Sequence, residues 1–158
     1  MGKLMLKWLW LSMLIILLDQ GTKYLAEHQL QLYEPVPVLP FFNFTLAYNT
    51  GAAFSFLADA GGWQRWFFVG LALTVSIGLV FWLYRLGSNA LWEAVAVALI
   101  LGGALGNVID RLWHGHVIDF IDLYYQGWHW PAFNIADSAI TVGAALLIIQ
   151  SVFGKPAP

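Results

Sequence analysis

The sequence predicts an α-helical integral membrane protein with four transmembrane helices and a small sheet outside the membrane. Three observations lead there. Of the 158 residues, 60% are hydrophobic and 10% charged, against roughly 45–50% and about 25% in a soluble domain. The apolar residues gather into four stretches, each near the roughly 20 residues that a helix needs to cross the hydrocarbon core. Between the first two stretches, a run of aromatic and β-branched residues alternates with polar ones at period two, the pattern of a strand.

The composition also excludes. With a mean hydropathy of +0.71, the chain is too apolar for intrinsic disorder. A net charge of −2 and a pI near 6.0 leave no basic footprint for nucleic acid. The chain has no cysteine, so disulfides, thiolate nucleophiles and thiolate metal sites are absent.

The first span covers residues 4–26. It is apolar to residue 18 apart from Lys7 and continues through Asp19-Gln-Gly-Thr-Lys23. Lysines before an apolar run also open a secretory signal peptide. No small-x-small cleavage site follows, however, and Asp19 and Lys23 prolong the helix, so the segment is read as a retained span. Residues 27–65 form an outer loop with β-strands. In it Phe42, Phe44, Leu46 and Tyr48 share one face, with Asn43, Thr45, Ala47 and Asn49 on the other. Pro35, Pro37 and Pro40 keep helix out of the stretch before it, and Asn49-Thr-Gly51 and Asp59-Ala-Gly-Gly62 read as turns. The second span, 66–84, carries no charge. A short turn leads to the third, 91–109, with Glu93 at its rim. A loop around 110–132 precedes the fourth, 133–153, which is apolar apart from Asp137. No internal repeat is visible, and residues 1–158 read as one membrane domain.

Lys3, Lys7, Arg85 and Lys155 share one side of this arrangement, and Lys23, Arg65 and Arg111 the other. The small excess favours both termini in the cytoplasm. All nine tryptophans fall near span ends or in loops, where an amphipathic indole prefers to sit.

Ionisable residues in spans are costly and therefore functional candidates. Asp19 and Lys23 are spaced i,i+4 on one helix face; a self-satisfied ion pair and a part in shaping a site are both open. Gly102 and Gly106 form a small-xxx-small pair that lets another helix approach. Gly103, Asn107 and Arg111 line up on the same helix as a polar stripe able to hydrogen-bond a peptide backbone or a lipid ester. Asp110 reads as a partner for a neighbouring base, and Asp122 as a solvated loop acid.

Asp119, in Val117-Ile-Asp-Phe120, and Asp137, in Phe133-Asn-Ile-Ala-Asp-Ser138, lie at the same outer rim among apolar neighbours. Asn134 with Asp137 also has the spacing of a helix N-cap with an acid in the first turn. Taken as a pair, two carboxylates forced together acquire divergent pKa values. One can then activate water while the other protonates a carbonyl, the chemistry of an aspartic protease.

Other chemistries are weaker. His28, His114, His116 and His129 contain no His-Glu-x-x-His, and neither Ser55 nor Ser138 sits in a Gly-x-Ser-x-Gly elbow. A proton-coupled transporter would place its acids deep in the spans and would often show a duplicated half. A purely structural subunit gives no reason for two rim aspartates.

Five blocks, Asp19-Gln-Gly-Thr-Lys23, Tyr48-Asn-Thr-Gly-Ala-Ala-Phe-Ser55, Gly102-Gly-Ala-Leu-Gly-Asn-Val-Ile-Asp-Arg111, Val117-Ile-Asp-Phe120 and Phe133-Asn-Ile-Ala-Asp-Ser138, resemble the bacterial signal peptidase II family, the lipoprotein signal peptidases. They follow the family's order over nearly the whole chain. The resemblance implies a four-span aspartyl endopeptidase of the inner membrane, with a small extracytoplasmic β-cradle and its active site at the periplasmic face. The implied substrate is a prolipoprotein whose lipobox cysteine carries diacylglycerol, cut just before that cysteine. Carried over by motif, Asp119 and Asp137 are the catalytic pair. Asn49, Gly103, Asn107, Arg111, Asn134 and Ala136 line or support the substrate site, and Asp19 and Lys23 support its architecture. The resemblance implies no metal and no organic cofactor, contact with membrane lipid, and inhibition by globomycin-type compounds.

Overall fold

The computed structural model describes residues 2–51 and 61–153, with side chains from Met5 onward. Residues 52–55 of the second motif block, Asp59 and Lys155 lie outside that description.

A 3₁₀ turn, Gly2–Trp8, leads into helix α1, Leu9–Gln29, and strands β1, Pro35–Leu39, and β2, Phe42–Asn49, follow. Helices α2, Trp63–Arg85, and α3, Leu91–Trp113, come next. Strands β3, Val117–Tyr125, and β4, Trp128–His129, then precede helix α4, Ile135–Phe153. Helices α2, α3 and α4 are long and apolar enough to cross a membrane. The 21 residues of α1 would reach about 31 Å at 1.5 Å per residue, but Asp19, Gln20, Thr22 and Lys23 make its second half polar. The architecture is thus a helical membrane protein with three apolar spans, an N-terminal helix packed among them, and a small antiparallel sheet.

Helix α3 is the central post, packed against each of the other three helices. Small residues allow this. A Cβ at Gly102 would stand 2.8 Å from the Ser12 carbonyl of α1, and one at Gly143 of α4 would stand 2.7 Å from the Ala96 carbonyl. The Ser12 hydroxyl donates across the same α1–α3 contact to the Ala98 carbonyl at 2.7 Å, a buried polar group satisfied between helices. At the end of α3 that holds Leu91, Met5, Leu79, Leu83, Leu86, Ala94, Val97 and Leu101 form an apolar core. The outer faces of the helices keep Leu17, Phe67, Ile77, Phe81, Ile148 and Val152 exposed, as helices bathed in lipid do.

At the opposite end lies the sheet, in the order β1-β2-β3-β4, with all three pairings antiparallel. Pro35 and Pro37 fall in β1, an edge strand, where a missing N–H costs no ladder bond. Ala26, Leu46, Ile118 and Phe120 bury a second apolar cluster, which joins the end of α1 to β2 and β3. The turn between β3 and β4 holds Gln126 and Gly127 at φ 48° and 82°, the doubly left-handed pair of a tight hairpin.

Two expectations are corrected. Residues 110–132 are not a loop: α3 runs on to Trp113, and β3 is an inner strand paired with β2 from Phe42↔Leu123 to Asn49↔Val117. Asp122 is not a solvated loop acid. It is 5% exposed and accepts hydrogen bonds from Asn43 at 3.1 Å, Thr45 at 3.0 Å and His129 at 2.8 Å. Burial alone would raise its pKa; the bonds from His129, Asn43 and Thr45 outweigh burial and hold it below the usual carboxylate value.

Candidate active site

The polar ends of three helices and the middle of the sheet converge on one place. Asp19 and Lys23 come from α1, Asn107, Asp110 and Arg111 from α3, and Asp137 from the first turn of α4. Asp119 comes from β3 and Asn49 from the end of β2. In β2 the register shifts between Phe44 and Ala47, a bulge that re-aims side chains. Its polar residues consequently serve two carboxylates, Asn43 and Thr45 facing Asp122 while Asn49 faces Asp119.

Asp119 is 3% exposed. Its Oδ1 accepts from Asn134 Nδ2 at 2.7 Å, and its Oδ2 from Asn49 Nδ2 at 3.4 Å. Asp137 Oδ1 accepts from Asn107 Nδ2 at 2.8 Å. The two asparagines are themselves joined, Asn134 Nδ2 donating to Asn107 Oδ1 at 3.3 Å. The carboxylates therefore stand at the two ends of one chain, Asp119–Asn134–Asn107–Asp137. Burial, and after it the negative charge of Asp137, pushes the Asp119 carboxyl up to about 7 against the bonds from Asn49 and Asn134. Such a group carries a proton across the neutral range while remaining able to release it.

Asn134 is also the N-cap of α4. Its Oδ1 accepts the Asp137 N–H at 2.9 Å, the cap geometry that the spacing suggested. The cap and the carboxylate pair coexist, since the cap is what orients the pair.

Behind the pair lies a buried ion cluster. Lys23 Nζ contacts Asp19 Oδ2 at 2.7 Å and Asp110 Oδ2 at 2.6 Å, and donates to Asn107 Oδ1 at 3.0 Å. Asp19 and Asp110 are 0% exposed and Lys23 1%. Asp19 and Lys23 thus form the ion pair that their spacing suggested, and Lys23 extends it to Asn107. Gly103 lets α4 approach: a Cβ there would overlap the Ala136 carbonyl. Arg111 donates to the Gly51 carbonyl at 2.9 Å and to its own helix at Asn107 O, 3.3 Å, and its guanidinium stacks on Phe68 at 5.2 Å. Every residue singled out from the sequence as a site candidate lies in this region.

One member was missed: Gln20 Nε2 donates to Asp110 Oδ1 at 2.7 Å. Asp110 pairs with a base as its position suggested, and that base is Lys23. The signal was present: Asp19, Gln20 and Lys23 fall on one side of a helix at i, i+1, i+4. No group of histidine and carboxylate side chains with the arrangement of a metal site occurs among the described residues.

Against known proteins, the sequence model of the family described as signal peptidase (SPase) II matches residues 11–153. The chain belongs to the signal peptidase II family. It is 60% identical over 146 residues to a lipoprotein signal peptidase of Acinetobacter baylyi, covering 92% of this chain and 82% of that one. To a lipoprotein signal peptidase of Pseudomonas fluorescens it is 58% identical over 152 residues, 95% of this chain and 89% of that one. A solved structure described as a bacterial membrane enzyme, determined by the in meso method at 2.3 Å resolution, superposes with a TM-score of 0.81 at 33% identity, over 96% of this chain and 93% of that one. A second, at 1.9 Å resolution, gives 0.80 at 34% identity, over 94% of each chain. Family membership makes the protein a peptidase, and its apolar helices make it a multi-pass membrane protein.

Proposed function

We propose that the protein is an aspartic endopeptidase that removes signal peptides from prolipoproteins, cutting immediately before a lipobox cysteine that already carries diacylglycerol. The observation that carries this reading is the arrangement of Asp119 and Asp137. One buried and one half-buried carboxyl group share one asparagine relay, and the buried one is raised to about 7. The pair titrates as a unit and holds one proton near neutral pH. The ionised member takes a proton from water as that water attacks the scissile carbonyl. The protonated member donates to the carbonyl oxygen and stabilises the developing oxyanion. The proposed chemistry uses no metal and no organic cofactor.

The placement of the pair suits a lipid-anchored substrate. Such a substrate cannot leave the bilayer, so its scissile bond waits at the membrane surface, where the sheet meets the helix ends. In this reading both termini are cytoplasmic, the site opens on the periplasmic face of the bacterial inner membrane, and the sheet is the cradle that clamps the extended peptide. Asn49, Gly103, Asn107, Arg111, Asn134 and Ala136 line or support the bound chain. Globomycin-type inhibitors would then compete at the carboxylate pair.

The test is cleavage by the purified protein of a prolipoprotein with and without the diacylglyceryl group. Turnover should require that group, and Asp119→Asn or Asp137→Asn should each abolish it in a folded protein. Near-wild-type turnover by either variant would overturn the assignment.

A further inference from the structure

Each carboxylate of the buried ion cluster has a second contact. Asp19 Oδ1 accepts the backbone N–H of Ala136 at 2.9 Å, and Ala136 is the residue immediately before Asp137. Asp110 Oδ2 accepts the backbone N–H of Ile118 at 3.1 Å, and Ile118 immediately precedes Asp119. The same two carboxylates are drawn onto one ammonium, Lys23 Nζ, at 2.7 and 2.6 Å. Thus one cation on α1 joins two anions, and each anion grips the main chain one residue ahead of a member of the pair.

We infer that Asp19, Lys23 and Asp110 are positioning residues that set the separation of Asp119 and Asp137 by fixing the main chain beside each. The inference rests on the aspartic-peptidase reading and adds a cause for its geometry. The starts of β3 and α4 also meet directly, through the Ile121–Phe133 bridge and the bonds from Asn134 to the Ile118 carbonyl and Asp119; the cluster adds a hold on the main chain one residue ahead of each acid.

The surroundings are built to hold the cluster rigid. Gly106 makes room for it, since a Cβ there would stand 2.7 Å from Asp19 Oδ2 and 3.4 Å from the Ala136 Cβ. Gln20 Nε2 reaches Asp110 Oδ1 at 2.7 Å, Asp19 Oδ2 at 3.3 Å and the Gly106 carbonyl at 3.3 Å. Asp19 also lies at the first turn of α4, where helix N–H groups favour an anion. The Lys23 ammonium is joined to the pair by a hydrogen bond through Asn107 Oδ1 and bears on Asp119 by its charge from a distance, without contact with the reacting atoms.

The experiment compares alanine with asparagine at each grip. Asp19→Ala and Asp110→Ala remove the oxygen that holds the N–H, while each leaves Lys23 one carboxylate partner. Asp19→Asn and Asp110→Asn also leave Lys23 one partner but keep an acceptor oxygen. Asp122→Ala, which unties a buried carboxylate on β3 with no link to the pair, is the control for general loosening of the sheet. At matched folded fraction, the two alanine variants should lose about 100-fold in kcat, the usual cost of an ångström of misplacement, with KM unchanged. The asparagine variants should stay within about tenfold of wild type, since an amide oxygen still accepts the N–H bond. Folded alanine variants with wild-type kcat would overturn the inference. So would folded asparagine variants as inactive as Asp119→Asn, because charge and not grip would then be at work. If the alanine variants fail to fold, the asparagine variants decide alone: retained kcat supports the grip and lost kcat refutes it. Activity in Asp119→Asn or Asp137→Asn, measured alongside, would instead signal failure of the aspartic reading itself.

Discussion

Asp119→Asn should abolish turnover and at the same time stabilise the folded protein above neutral pH. The carboxyl moves from 3.8 in the unfolded chain to about 7 in the folded one, so the folded state binds its proton more tightly. Between those values unfolding releases a proton, and stability falls as the pH rises; above about 7 the full cost is present. Three units at 1.36 kcal/mol each make that cost about 4 kcal/mol. Asparagine carries no charge and removes it. One oxygen still accepts from Asn134, but the other becomes an NH₂ facing Asn49 Nδ2, a contact of 3.4 Å in the wild type, and losing that bond costs about 1 kcal/mol. The net gain at pH 8 is then about 2–3 kcal/mol, or roughly 4–12 °C in Tm for a chain of this size. With nine tryptophans and no cysteine, intrinsic fluorescence during heating in detergent is the suitable assay. The gain should shrink steadily towards pH 4. Equal Tm values at pH 8, or a gain that persists unchanged at pH 4, would show that the carboxyl is not held at a burial cost and would refute the electrostatic reasoning.

On the proposed mechanism the same titration sets the rate. Loss of the shared proton leaves the pair without its acid, so kcat/KM should fall about tenfold per unit well above pH 7; a flat profile to pH 9 would exclude Asp119 as the proton carrier. Gly103→Ala should destabilise by about 1–3 kcal/mol, because its Cβ would overlap the Ala136 carbonyl, whereas Gly21→Ala, with nothing within 4 Å, should gain about 0.5–1 kcal/mol from helix propensity; paired Tm measurements check both. Asp122→Ala should destabilise the fold at pH 7 by about 1–3 kcal/mol through three lost hydrogen bonds, read as a lower Tm, and leave kcat within about twofold. Its contribution, held by a depressed pKa, is present above 3.8 and disappears as the pH falls through the lower folded value.

The helices were legible because their cause is local. Crossing a membrane demands a length and a composition, and residues 66–84, 91–109 and 133–153 display both, so α2, α3 and α4 could be read almost to their ends. Strand β2 was legible for the same reason, since its period-two alternation is written in consecutive residues. Strand β3 was not. Val117 to Phe120 is buried on both sides of the chain, and a strand buried on both faces loses alternation and looks like any short apolar run. Its partner β2 lies some 70 residues away, and neither the pairing nor the bulge that re-aims Asn49 leaves a mark on local pattern. Asp122 was misjudged from the same cause: its three partners come from β2 and β4, and without the sheet it reads as an acid in a polar loop.

The site shows where the limit falls more sharply. Residue types and spacing identified both aspartates and offered two readings of Asp137, as helix cap or as catalyst, as though one excluded the other. The cap does not compete with the proposed role: Asn134 caps α4 through its oxygen and binds Asp119 through its nitrogen, so the device that starts the helix also ties the two acids together. Asp110 posed the opposite problem. Its neighbour in sequence is Arg111, an evident partner, yet the two side chains leave α3 about 100° apart. Asp110 turns inward to Lys23 while Arg111 turns to Gly51. Sequence therefore ranks residues by the cost of burying them, which is why every charged member of the site stood out. It cannot say which of those charges meet, because the partners are brought together by helix packing around Gly102, Gly103 and Gly106, where the informative feature is a missing side chain.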